Sequence, residues 1–142
     1  MGLHGGSWRI HSSAVDDIDL ITEALTWIAG DDSVIDVEKG KSALGAPQAT
    51  LIARLSKKGA LKSLGRLSVD SLERMLEEGL DGRIDDEKVL HLKISISDLV
   101  RGEAVLCDGN DGPVAKGRFK IEGYPGDDIV VLATEMMTEL TG

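Results

Sequence analysis

The sequence predicts a single α+β domain in which one mixed or antiparallel sheet carries helices on one face. Apolar and polar residues alternate in several short segments, which is typical of half-buried strands, and longer segments repeat apolar residues at helical spacing. The length of 142 residues, with 42% hydrophobic and 29% charged residues, suits one globular domain. We expect a flexible N-terminus at residues 1–6 and the domain at 7–142, in the order β-α-β-β-α-α-β-β-β-α.

The first half of the chain predicts three strands around one helix. Trp8 and Ile10 alternate with Arg9 and His11, so one face of the first strand is apolar and the other is basic. Gly30 is suited to ending the helix that follows. The strands are expected at 7–14, 33–39 and 48–56, and the helix from about 16 to 29.

The second half begins with two helices and ends with one. Gly65 interrupts an apolar stripe that runs from about 57 to 80, and Ser68 is a suitable N-cap for a second helix. Residues 88–96 then alternate with little ambiguity. The remaining predictions are a hairpin of strands at 103–107 and 114–123, and a final helix capped by Asp127 or Asp128.

Charge is segregated along the sequence. The formal net charge of −9 by itself argues for plain solubility and against a nucleic-acid partner. Between Lys39 and Val69, however, there are seven basic residues and no acidic residue, so this segment carries +7 and the rest of the chain −16. A local basic surface can therefore exist on a protein that is acidic overall.

Composition also indicates the cellular compartment. No uncharged apolar run approaches the ~20 residues that a membrane helix needs. Cys107 is the only cysteine, which excludes an intrachain disulfide and a cysteine-rich zinc module. We therefore expect a cytoplasmic protein with no membrane partner.

Several apparent motifs do not meet the requirements of their chemistry. Gly40-Lys41-Ser42 resembles the end of a phosphate-binding loop, but Ile35 occupies the position of the required first glycine. The run 108–112 resembles a calcium loop but lacks the oxygen ligand at its fifth position and the glutamate at its twelfth. The three histidines have no metal-ligand spacing. We predict no cofactor, no metal and no catalytic residue.

Two catalytic alternatives stay open at this point. Cys107 could act as a nucleophile with a histidine that is distant in sequence, although a cysteine in a short strand is usually a small buried hydrophobic residue. Asp85, Asp86 and Glu87 could hold a magnesium ion, but a solvated acidic loop is the more common explanation.

Two groups of basic residues remain as candidate phosphate contacts. Alternate residues on a strand lie about 6–7 Å apart, close to the spacing of successive phosphates in one nucleic-acid strand. Exposed lysines are also common on any solvent-facing side of a sheet or helix. The helical group is Lys57, Lys58, Lys62 and Arg66, and the strand group is Arg9, His91, Lys93, Lys116, Arg118 and Lys120.

The order of short motifs resembles an archaeal RNA-binding family described as predicted exosome subunits. The resemblance covers about residues 8–140 and rests on the order of the motifs. The residues that carry it are Trp8-Arg9-Ile10-His11, Gly45-Ala46-Pro47, Lys57-Lys58, Leu67-Ser68, the stretch 83–93, Arg101-Gly102-Glu103 and Gly123-Tyr124-Pro125.

The resemblance implies a fold like that of the ribosomal protein that binds 5S RNA, an RNA-related role in an archaeal cytoplasm, and no agreed active site. We therefore expect a non-catalytic RNA-binding or RNA-processing accessory protein whose basic groups contact the phosphate backbone of structured RNA, with the exosome as a candidate partner. The alternative is a protein–protein interaction or dimerisation module that binds no nucleic acid.

Overall fold

The computed structural model confirms the α+β class. It describes residues 3–13, 18–30, 33–41, 45, 47–107 and 113–141. In these parts of the chain the strands are β1 (Leu3–Ser13), β2 (Val34–Lys41), β3 (Pro47–Leu55), β4 (Val89–Ser95) and β5 (Val114–Ile121). The α-helices are α1 (Ile18–Ala29), α2 (Lys57–Leu64), α3 (Val69–Glu78), α4 (Ile96–Leu99) and α5 (Ile129–Thr141), with a 3₁₀ turn at Asp81–Arg83.

The strands form one antiparallel sheet in the order β2-β3-β1-β5-β4. β1 lies at the centre and begins earlier than predicted. Leu3 is buried and pairs with Ile121, while Gly6 pairs with both Leu55 and Phe119. Part of the segment that we expected to be a flexible N-terminus is therefore paired strand.

The predicted hairpin between 103–107 and 114–123 is wrong. β5 lies between β1 and β4, which are its hydrogen-bonded neighbours. Residues 103–107 instead border the outer edge of β4, where Leu106 bridges Ile94 and the Cys107 amide donates to the Lys93 carbonyl at 3.0 Å. The sequence 108–112, interpreted as the turn, lies outside the described residues.

The helices cover one face of the sheet, as predicted. α1 packs over β3, α2 packs against β1, and α3 packs against α5. The contact between α2 and β1 is polar as well as apolar: the buried Trp8 indole donates from Nε1 to Ser63 Oγ at 2.7 Å, and Ser63 Oγ donates to the Ile28 carbonyl at 2.5 Å. One hydroxyl thus joins β1, α2 and the end of α1 inside the core.

The break between α2 and α3 also follows the prediction. Ser68 caps α3 because its hydroxyl accepts a hydrogen bond from the Ser71 amide at 3.2 Å. α2 ends at Leu64, and Gly65 donates its amide to the Leu61 carbonyl at 3.1 Å. The short connection of four residues keeps the two helices in the same layer.

Two aromatic rings fill the centre of the covered face. Trp8 on β1 and Phe119 on β5 are fully buried and meet edge to face, with ring centroids 5.4 Å apart and planes at 77°. Each ring lies opposite a glycine on the neighbouring strand, since Trp8 pairs with Gly117 and Phe119 with Gly6. The small glycines leave the space that the rings occupy.

Among the described residues, no helix has the length and apolar character needed to cross a membrane.

Candidate nucleic-acid interface

The uncovered face of β1, β5 and β4 carries adjacent cationic side chains. Arg9 on β1 pairs directly with Lys116 on β5, and Lys116 pairs directly with Lys93 on β4. Directly paired residues of antiparallel strands have Cα atoms about 4.5–5.5 Å apart and project from the same face. All three side chains are exposed, so they form one cationic row across three strands.

A second row of basic side chains lies at the next outward pair of β5 and β4. Arg118 on β5 pairs directly with His91 on β4, and Lys120 follows Arg118 at the next outward position of β5. Successive outward positions on one strand are about 6–7 Å apart. The structure thus brings together every member of the predicted strand group. We call this set the basic face: Arg9, His91, Lys93, Lys116, Arg118 and Lys120.

Most of the basic face is free of intramolecular partners. Lys120 Nζ donates to the Glu87 carbonyl, and His91 Nε2 lies 2.7 Å from Asp85 Oδ2. Within the described part of the chain, the other four side chains make neither an ion pair nor a hydrogen bond; they are Arg9, Lys93, Lys116 and Arg118. Four unpaired cations on neighbouring strands make this face attractive to an anion.

Among the described residues of the five strands, the carboxylates are confined to Asp36 and Glu38 on the edge strand β2, at one margin of the uncovered face. At one margin, Asp36 on β2 pairs with Arg54 on β3, which neutralises both charges. Glu38 follows two residues along on the same edge strand. At the other margin, Asp85 lies beside His91. Between these margins, the described outward residues of β1, β5 and the middle of β4 include cations and no carboxylate.

Asp85 holds the turn that leads into β4. Its Oδ1 accepts hydrogen bonds from the amides of Glu87 at 2.9 Å and Val89 at 3.1 Å. The hydrogen bond from His91, together with the bond from the Val89 amide, lowers the pKa of Asp85 to about 2. Asp85 is thus a carboxylate at neutral pH whose Oδ1 holds the turn and whose Oδ2 pairs with His91, which does not suit the magnesium alternative.

The helical group lies on the other side of the sheet. α2 packs on the covered face, so Lys58 and Lys62 are exposed in the helical layer. Lys57 Nζ is 3.3 Å from Glu122 Oε2, and the half-buried Arg66 donates to the Ile28 carbonyl at 3.3 Å. The two predicted groups therefore do not merge, and two members of the helical group have intramolecular partners.

The basic face includes a recess that the sequence did not predict. Its volume is about 310 Å³, and it lies over the paired backbones of β4 and β5. Besides cations of the basic face, it is lined by Arg83 from the 3₁₀ turn and by Cys107 from the segment beside β4. Strand alternation could not reveal these two residues, because each reaches the face from an irregular segment outside the five strands.

Neither catalytic alternative gains support from the geometry. Cys107 is half-buried and lines the recess together with His91, but among the described residues no hydrogen bond joins its sulfur to a histidine. Within the ranges that the structure describes, no cluster of three or more His, Cys, Asp or Glu residues has an arrangement that could hold a metal ion.

Comparison with known proteins gives a family and a set of related folds. A family model described as RNA binding matches residues 7–123. A DUF54 protein from Archaeglobus fulgidus has a similar structure, with 25% identity, a TM-score of 0.74, and coverage of 97% of this chain and 99% of that one. The search of curated proteins finds no match.

Two further structures show the same fold at lower identity. A DUF54 protein from Methanothermobacter thermautotrophicus is 20% identical with a TM-score of 0.77, and both chains are covered completely. A UPF0201 protein from Methanococcus jannaschii is 11% identical with a TM-score of 0.63, covering 94% of this chain and 92% of that one. The family match spans most of the chain, and the sequence resemblance pointed to the same group; the chain belongs to this RNA-binding family.

Proposed function

We propose that this protein is a non-catalytic RNA-binding protein whose basic face contacts the phosphate backbone of structured RNA. The observation that carries the proposal is the register of β1, β5 and β4. It places Arg9, Lys116 and Lys93 side by side, with Arg118 at the next outward position, and none of the four has a partner among the residues that the structure describes. Such a surface binds a polyanion by charge, without reading bases.

The dimensions of the basic face suit a phosphate backbone. Lys116, Arg118 and Lys120 succeed one another along β5 at about 6–7 Å, which matches consecutive phosphates of one strand. Arg9 and Lys93 flank Lys116 on the neighbouring strands, so a phosphate near Lys116 would meet more than one cation. Hydrogen bonds between ionised groups are roughly twice as strong as neutral ones.

The distribution of aromatic residues favours structured RNA over a single strand. Sequence-tolerant single-strand binding relies on aromatic side chains on which bases stack. Here Trp8 and Phe119 are buried in the core, Trp27 lies on α1, and the exposed Tyr124 follows the end of β5, so no Trp, Tyr or Phe of the described strands projects from the basic face. Base-paired RNA is instead recognised through its shape and its backbone, which a cationic sheet can provide.

The proposal assigns the primary contacts to the basic face. Lys57, Lys58, Lys62 and Arg66 would contribute only where RNA extends around the sheet to the helical layer. An RNA-processing role beside the exosome, which the family resemblance implies, would need a second surface. The cytoplasm is the compartment that we expect.

The salt dependence of RNA binding tests the proposal. With about four phosphate contacts, we expect the logarithm of the association constant to fall against the logarithm of salt concentration with a slope near −3 to −4. Fluorescence anisotropy of a labelled RNA hairpin, measured at several KCl concentrations, gives this slope. A flat response, or no binding at low salt, would mean that phosphate contacts do not drive the interaction.

A further inference from the structure

The recess on the basic face has the size of a small-molecule site. Its volume of about 310 Å³ lies at the lower end of the ~300–1,000 Å³ typical of ligand pockets. It lies over the Leu92–Gly117 pair of β4 and β5, with Arg83 and Cys107 among its lining residues. An RNA duplex is far too wide to enter such a space, whereas one nucleotide that projects from the helix is not.

The lining of the recess is cationic and largely without partners. Lys93, Lys116 and Arg118 all line it, and these are three of the four unpaired cations of the basic face. A phosphate in the recess would therefore be met by several positive charges at once. The pocket has no acidic lining residue among those that the structure describes.

Arg83 adds a fixed planar group to this lining. Its side chain is only 21% exposed, and its Nη2 donates to Glu78 Oε1 at 3.1 Å. This hydrogen bond lowers the pKa of Glu78, so Glu78 stays a carboxylate and the pair persists at neutral pH. RNA-binding proteins stack unpaired bases on arginine planes as well as on aromatic rings, and a lysine offers no such plane.

We propose that this recess binds one unpaired nucleotide of an otherwise paired RNA, either a bulged nucleotide or one at a strand end. The phosphate is held by Lys93, Lys116 and Arg118, and the base lies against the Arg83 guanidinium. The inference rests on the proposed function, since the duplex on either side is held by the rest of the basic face. Beyond that function, the inference predicts that the protein prefers RNA with an extrahelical nucleotide over a perfect duplex.

The test compares three RNAs that share one duplex: blunt, with a single-nucleotide bulge, and with a single-nucleotide overhang. Stacking one base typically contributes 1–3 kcal/mol, so we expect about 10-fold tighter binding of the bulged RNA, the overhang RNA or both. The RNA that binds more tightly than the blunt duplex shows whether the bound nucleotide comes from a bulge or from a strand end. Equal affinity for all three RNAs would overturn the inference and leave the proposed function intact, whereas no binding to any would overturn both.

A conservative substitution tests whether the preference for an extrahelical nucleotide depends on the recess. Arg83→Lys keeps the charge and removes the plane, so the ratio of bulged or overhang affinity to blunt affinity should fall towards one. Arg74→Lys is the matched control, because Arg74 also pairs with Glu78 but does not line the recess. An unchanged ratio in Arg83→Lys would contradict the assignment of the base to Arg83.

Discussion

Replacing Lys93, Lys116 and Arg118 together with glutamate should lower the affinity for structured RNA by about 100-fold or more. Each replacement removes an attraction to phosphate and adds a repulsion, and each close charge pair is worth about 1 kcal/mol even in water. The three side chains are exposed and pair with no other side chain in the described part of the molecule, so the fold should persist. Anisotropy titrations measure the affinity, and circular dichroism checks the fold.

A matched variant separates a local effect from the change in net charge. Lys39, Lys58 and Lys62 are exposed lysines outside the basic face, and replacing all three with glutamate changes the net charge by the same amount. We expect this variant to lose only the small, long-range part of the attraction that salt screens. Equal losses in the two variants would show that RNA responds to total charge and not to this face.

Gly117→Ala should destabilise the fold by about 1–3 kcal/mol, because the added methyl group overfills the core. A Cβ at this position would lie 2.7 Å from the Trp8 ring and 2.9 Å from the Phe119 ring. Both rings are fully buried, so they cannot move into solvent to make room. Urea unfolding followed by tryptophan fluorescence gives the free energy of unfolding.

Gly40→Ala is the control for this substitution. Gly40 also lies within a strand, but it is exposed on the edge strand β2, and a Cβ there would meet no atom within 4 Å. We expect this variant to match the original protein or to be slightly more stable, since alanine restricts the unfolded chain. If Gly117→Ala were as harmless as Gly40→Ala, the close packing of Trp8 against β5 would be wrong.

The regular alternation of apolar and basic residues along the strands made the basic face predictable from the sequence. A strand has only two faces, so once Phe119 and Ile121 are taken as buried, the positions of Lys116, Arg118 and Lys120 follow. The break between α2 and α3 was predictable for a similarly local reason, because the Ser68 cap is read directly from the sequence.

Contacts between distant segments were not predictable from local patterns. The Gly- and Asn-rich run after Cys107 favours a hairpin, yet 103–107 borders β4, where the Cys107 amide bonds to Lys93. The recess depends on the same tertiary arrangement, since Arg83 and Cys107 reach one face only after the chain has folded. The separation of Lys62 from the basic face likewise follows from α2 packing on the covered side of β1.

The layered arrangement explains how an acidic protein can present a basic surface. Six of the 25 carboxylates lie on α3 and α5, which belong to the helical layer. On the uncovered sheet face, the described strand carboxylates lie on the edge strand β2, where Asp36 pairs with Arg54, and Asp85 lies beside His91 at the other margin. We expect the carboxylates of α3 and α5 to repel RNA and thereby to favour approach from the sheet side.

The most direct measurement is an amide chemical-shift titration of the ¹⁵N-labelled protein with an RNA hairpin. If the basic face binds RNA, the largest shifts should fall on β4, β5 and the middle of β1, with Lys93, Lys116 and Arg118 among them. The amides of α2 and α3 should shift little. Shifts that concentrate on α2 and α3, with the sheet face unchanged, would contradict the assignment of RNA binding to the basic face.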